Sequence, residues 1–98
     1  MASIDIKRSH NLGKETAKQK AEELANDMQG KMGIDWRWEG DDIRFKADSG
    51  AAKGVKGTVS VSDDEVRVAI DLPLLLKAMK GTISGRVEDK LGKLIGGG

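Results

Sequence analysis

Ile34-Asp35-Trp36-Arg37-Trp38-Glu39-Gly40-Asp41-Asp42-Ile43-Arg44-Phe45-Lys46-Ala47 is the stretch that decides the fold. Gly40-Asp41 suits the two-residue loop of a tight β-hairpin. With that turn, Trp38 stands opposite Ile43, Trp36 opposite Phe45, and Asp35 opposite Lys46. Side chains alternate between the faces of a strand, so every large apolar residue of the stretch lands on one face. Aromatic and β-branched cross-strand pairs support that register independently of the turn. Arg37 then faces Arg44, which is tolerable only on a solvated face.

The same period extends downstream. A second hairpin turns at Asp63-Asp64 and pairs Val61 with Val66, Val59 with Val68, and Gly57 with Ile70. Gly57 is an inward position without a side chain, which implies a bulge or the close approach of another element. Between the hairpins, Asp48 to Gly54 is a small-residue loop, expected to be the most mobile segment. Upstream, Ile4 and Ile6 alternate with Asp5 and Lys7 as a short edge strand.

Two segments change to helical period. The first is expected to start after Asn11 as its cap and to bury Ala17, Ala21, Leu24, Ala25, Met28 and Met32. Lys18, Gln19, Glu22, Glu23, Asn26 and Asp27 take the other side, and Gly33 is a suitable stop. The second opens near Pro73, with Leu76, Met79, Ile83, Val87, Leu91 and Leu94 inward. Its opposite side gathers Leu74, Ala78, Gly81, Gly85 and Gly92, with charges only at the margins. Glycines inside a helix cost about 1 kcal/mol each relative to alanine.

Strand, helix, four strands and helix describe an α+β fold: a single antiparallel sheet of about five strands, order β-α-β-β-β-β-α, with both helices packed on one face. Residues 1–98 read as a single domain, with 96–98 expected as a disordered tail.

Composition narrows the function classes. The chain has no cysteine, which removes disulfides and thiolate metal sites. Lysine plus arginine number 17 against 16 aspartate plus glutamate, a balance that points to no nucleic acid. Residues 34–72 carry six basic and nine acidic side chains, whereas residues 73–98 carry five basic and two acidic. The second helix is therefore the basic part, suited to an acidic surface or a subunit. No apolar run approaches the ~18 residues of a membrane span, and no signal peptide is visible. The expected location is cytoplasmic.

A catalytic site is hard to assemble. His10 is the only histidine, sits at a strand-to-helix turn, and has no identifiable partner for general base work. Ser9, Ser49, Ser60, Ser62 and Ser84 lie in no nucleophile-elbow context. Asp41-Asp42 and Asp63-Asp64-Glu65 fall at hairpin tips, where aspartate is an ordinary turn residue, and neither has calcium-loop spacing. No enzyme, metal or cofactor is expected. Trp36, Trp38 and Phe45, with Met79, are candidate ligand-binding residues: either plain core or the floor of an apolar pocket under the second helix. Leu74, Ala78, Gly81 and Gly85 form a candidate interaction surface, flanked by Lys77 and Arg86. Their alternative is an exposed helix face of poor propensity.

Several short motifs occur together: His10-Asn11-Leu12-Gly13 before an alanine-spaced helix, Trp38-Glu39-Gly40-Asp41 before Ile43-Arg44-Phe45, and Gly54-Val55-Lys56-Gly57. Asp71-Leu72-Pro73-Leu74-Leu75-Leu76 and a terminal helix ending Val87 to Leu94 follow. In this order they resemble the small bacterial proteins of the polyhydroxyalkanoic acid system family, from about residue 3 to residue 95. The resemblance implies association with storage-polyester granules and no established activity or active-site residues. The expected function is a non-enzymatic accessory protein, binding the polyhydroxyalkanoate granule or a granule protein. The alternatives are a carrier of an apolar or acyl ligand, or an oligomerisation or regulatory module working as a homo-oligomer.

Overall fold

Alternating apolar residues give five strands, and two helical repeats give two helices, in the computed structural model, which describes residues 2–50 and 52–95. Strands β1 (Ile4–Ser9), β2 (Asp35–Glu39), β3 (Asp42–Lys46), β4 (Lys56–Val61) and β5 (Glu65–Asp71) form one antiparallel sheet in the order β1-β5-β4-β3-β2. Helix α1 (Lys14–Met32) crosses from one edge of the sheet to the other and lies over β2, β3 and β4. Helix α2 (Lys80–Ile95) lies beside α1 and over β1. The expected tail at 96–98 falls outside the described residues.

Both hairpins adopt the register read from the sequence. Trp36 pairs with Phe45 and Trp38 with Ile43 in the first. Val59 pairs with Val68, and Gly57 with Ile70, in the second. Ile6 of the edge strand β1 pairs with Val68. One face of the sheet is therefore apolar throughout, and it packs against Ala17, Ala21, Leu24, Ala25 and Met28 of α1 and Val87, Leu91 and Ile95 of α2. The other face is polar, and Asp5 and Arg67 form a paired hydrogen-bonded bridge on it. The Arg67 guanidinium holds the Asp5 carboxyl below the usual carboxylate range. Arg37 and Arg44, paired on that polar face, both reach Glu39, which relieves their mutual repulsion.

Two helix starts differ from the sequence expectation. Helix α1 begins at Lys14 with Gly13, not Asn11, at the cap, and Gly13 adopts φ 80°. That backbone region is open to glycine and strained for other residues, so the chain turns at Gly13 rather than through an asparagine side chain. After Pro73 the chain forms a 3-10 helix, Leu74–Met79, before α2 begins at Lys80.

The loop between β3 and β4 is anchored at its base. Ala47 N–H donates to the Val55 carbonyl at 2.8 Å, and Gly54 N–H to the Ala47 carbonyl at 2.9 Å. Val55 and Ala52 are buried.

Gly57 marks a close approach. A β-carbon built there would collide with the Ala69 carbonyl oxygen and lie 2.5 Å from the tip of the Phe45 ring. Phe45, itself paired with Gly57 across the sheet, fills the space that a side chain would occupy. Gly57→Ala should therefore destabilise the fold by about 1–3 kcal/mol, the scale of overpacking in a close-packed core. Urea denaturation checks this, and an unchanged midpoint would mean that both the Phe45 ring and the β5 backbone at Ala69 yield freely.

Candidate functional site

The two tryptophans lie under α1, not under α2, because β2 is the strand beneath the first helix. Each is half-buried, with its ring against the core and its N–H at the helix edge. Trp36 Nε1–H donates to Gln29 Oε1 at 3.0 Å, and Trp38 Nε1–H donates to Glu22 Oε1 at 2.9 Å. Lys18 Nζ stands 4.9 Å from the centre of the Trp38 ring, within cation–π range. Lys18 also reaches Asp41 in the hairpin turn at 3.3 Å, and Lys14 pairs with the same carboxylate. A row of polar side chains on α1 thus closes over the edge strand and satisfies both indoles. Sequence periodicity assigned Lys18 and Glu22 to the solvent side. The available signal was the tryptophan N–H, which wants a partner when its ring is covered.

His10 is buried, and both of its ring nitrogens are used. Nδ1 accepts the Leu12 N–H at 3.2 Å, so Nε2 carries the proton and donates to the Ser62 carbonyl at 3.0 Å. The His10 N–H also donates to the Asp64 carbonyl. This histidine ties the β1–α1 turn to the tip of the second hairpin, which is a structural task.

The four candidate ligand residues do not form one site. Trp36 and Phe45 border a depression of about 570 Å³ at the β2–β3–β4 end of the sheet, shared with Arg37, Arg44, Lys46 and Lys56. Trp38 is covered by α1. Met79 lines a different, more apolar groove of about 460 Å³ between the two helices. Leu24, Met28 and Met32 of α1 form one wall of that groove, and Leu76, Met79 and Ile83 form the other. Lys31, Arg86 and Lys90 stand along it with one carboxylate, Asp27. Asp27 sits 3.5 Å from Lys31 and 3.9 Å from Lys90.

Beside the groove runs the candidate interaction surface. Leu74, Ala78, Gly81 and Gly85 are all exposed, and nothing lies within 4 Å of a β-carbon built at either glycine. Leu74 and Ala78 do not continue the Gly81–Gly85 line, because a 3-10 helix turns every ~3 residues and an α-helix every ~3.6. Gly92 leaves the group: it is half-buried, with Arg8 of β1 nearby. The more prominent apolar feature is the 3-10 segment, none of whose residues is fully buried. Leu74 is 82% exposed and Leu75 is 91% exposed, with Met79 next to them at 49%. The sequence reading singled out Leu74 but not Leu75.

Among the described residues, no cluster of histidine and carboxylate side chains could hold a metal ion, and no helix is long and apolar enough to cross a membrane.

Hydrogen bonds from Lys14, then Lys18, hold the Asp41 carboxyl below the usual carboxylate range. A depressed carboxyl contributes stability above its unfolded-state value, near 3.9, and loses it as pH falls through the lower folded value. Asp41→Asn should thus lower the denaturation midpoint at pH 7, and the gap to the parent should close on acidification below about pH 4. Urea titrations across that range check this; a gap that persists in acid would remove charge from the explanation.

No curated protein and no solved structure gives a significant match to the chain. The family model for polyhydroxyalkanoic acid system proteins does match, over residues 4–95. That span runs from the first strand to the last residue of α2, so the motifs of both hairpins and both helices fall inside it. The chain therefore belongs to the polyhydroxyalkanoic acid system protein family.

Proposed function

We propose that this protein is a non-enzymatic accessory protein of the storage-polyester system, binding the polyhydroxyalkanoate granule surface in the bacterial cytoplasm. One observation carries the reading: adjacent leucines, 82% and 91% exposed, on a segment with no fully buried residue. Leaving such side chains in water forgoes about 1.5–3 kcal/mol each. An exposed apolar patch with polar neighbours is a common mark of an interaction site. Lys77 and Lys80 are the exposed polar neighbours here. Family membership supplies the system to which the surface belongs. The non-enzymatic part of the proposal is supported by His10, whose ring is committed to the backbone on both sides.

The test is co-sedimentation of the purified chain with protein-free polyhydroxyalkanoate particles at low and high salt. Apolar contact should survive high salt, where exposed charges are screened. The double variant Leu74→Glu, Leu75→Glu should weaken binding by about a hundredfold or more, the equivalent of two buried leucines. Its denaturation midpoint should not change, since both positions are exposed. Full binding by that variant would overturn the assignment. Loss of binding only in Gly81→Glu, Gly85→Glu would move the contact to the outer face of α2.

A further inference from the structure

The groove between α1 and α2 meets the leucine patch only at Met79, and its chemistry is more selective. Leu74 and Leu75 do not line it. Its volume of about 460 Å³ falls in the ~300–1,000 Å³ range of small-molecule pockets. Three of the chain's four methionines, Met28, Met32 and Met79, contribute to its walls. Methionine is unbranched and polarizable, and it adapts to flexible apolar chains.

The charge along the groove is one-sided. Lys31 and Lys90 share the single carboxylate of Asp27. Arg86 has no ion-pair partner among the described residues, and its side chain is exposed. An apolar trough with a surplus of cations suits a molecule with one apolar chain and one anionic end. Arginine matches a carboxylate in planar, two-bonded geometry.

We infer that this interhelical groove binds a monocarboxylate with an unbranched apolar chain, the chain lying along Met28, Met32 and Met79 and the carboxylate meeting Arg86. The inference does not depend on polyester binding.

The experiment uses the full chain labelled with ¹³C at its methionine methyls, titrated with sodium decanoate below its micelle concentration and followed by NMR. Decyltrimethylammonium is the matched cationic probe. Decanoate should shift the Met28, Met32 and Met79 methyls saturably. Arg86→Glu should weaken that binding by about tenfold or more, the scale of one charge-assisted pair. The cationic probe should bind the parent at least about tenfold more weakly than decanoate. Thr82→Trp, at an exposed position lining the groove, should block it. Unperturbed methyl dispersion in each variant verifies the fold in the same spectra. Equal affinity for the two probes, or decanoate affinity unchanged in Arg86→Glu, would overturn the anionic assignment. Absence of shifts at Met28 and Met32, which lie on α1 away from the exposed leucines, would overturn the site itself.

Discussion

Two rows of side chains cross the sheet from edge to edge, and the rest of the molecule depends on their alignment. One runs Ile6, Val68, Val59, Ile43, Trp38, and the other Ile4, Ile70, Gly57, Phe45, Trp36. Each pairs residues across four strand interfaces, so a slip of one residue anywhere would turn a strand's apolar set to water. The rows are uneven in volume. Gly57 leaves a gap in the second row, and the Phe45 ring closes it from the neighbouring strand. The sheet thus presents a continuous apolar face, and the helices have only one side on which to pack.

How the helices pack follows from their own side chains. Ala17, Ala21 and Ala25 are small and completely covered, which lets α1 sit close over the central strands. At its margin, Glu22 and Gln29 reach the indoles that protrude beyond it. The uncovered backbone of an edge strand invites pairing with other chains. Along β2, charged side chains and the overhanging helix make such pairing less favourable. Helix α2 covers less. Only Val87, Leu91 and Ile95 of it are buried and none of its first seven residues is, while Ile83 and, in the 3-10 segment before it, Leu76 and Met79 stay half-covered or exposed. The groove lies between these partly covered side chains and α1.

Most of the sheet was legible in the sequence because period-two alternation and hairpin turns are local signals. The pairings around Gly40-Asp41 and Asp63-Asp64, and the tight approach at Gly57, needed no knowledge of distant contacts. What was not legible depended on which element lies over which. Nothing in Trp36 or Trp38 says whether a following or preceding helix will cover it. A helical wheel places Glu22 on the solvent side, where it is indeed exposed, but cannot show that it accepts an indole N–H from another element. The wheel also assumed ~3.6 residues per turn from Pro73 onward. The chain takes a tighter 3-10 path there, which displaces Leu74 and Ala78 from the expected stripe and leaves Leu75 exposed. Gly92 was misplaced for a different reason: its neighbour Arg8 belongs to β1, at the far end of the chain.

The 3-10 segment also separates stability from function in this small fold. The core hardly relies on it: none of its residues is buried and Leu76 alone packs against the buried cluster, while every strand contributes to that cluster or packs against it. A segment that the core does not require can hold apolar side chains only at a cost in solubility, since such side chains promote association when left bare. Two adjacent leucines at such a position are therefore explained poorly by folding and well by contact with an apolar surface. The groove follows a similar logic with opposite geometry. Met28 is buried and Met32 half-buried in its α1 wall while Lys31 and Arg86 stand exposed along it, so it favours one amphiphilic chain over a broad surface. The two features adjoin at Met79, which is half-exposed beside the leucines and also lines the groove. A polymer surface and a single acid chain would thus contact neighbouring parts of the same helix start, while the sheet beneath is left undisturbed by either.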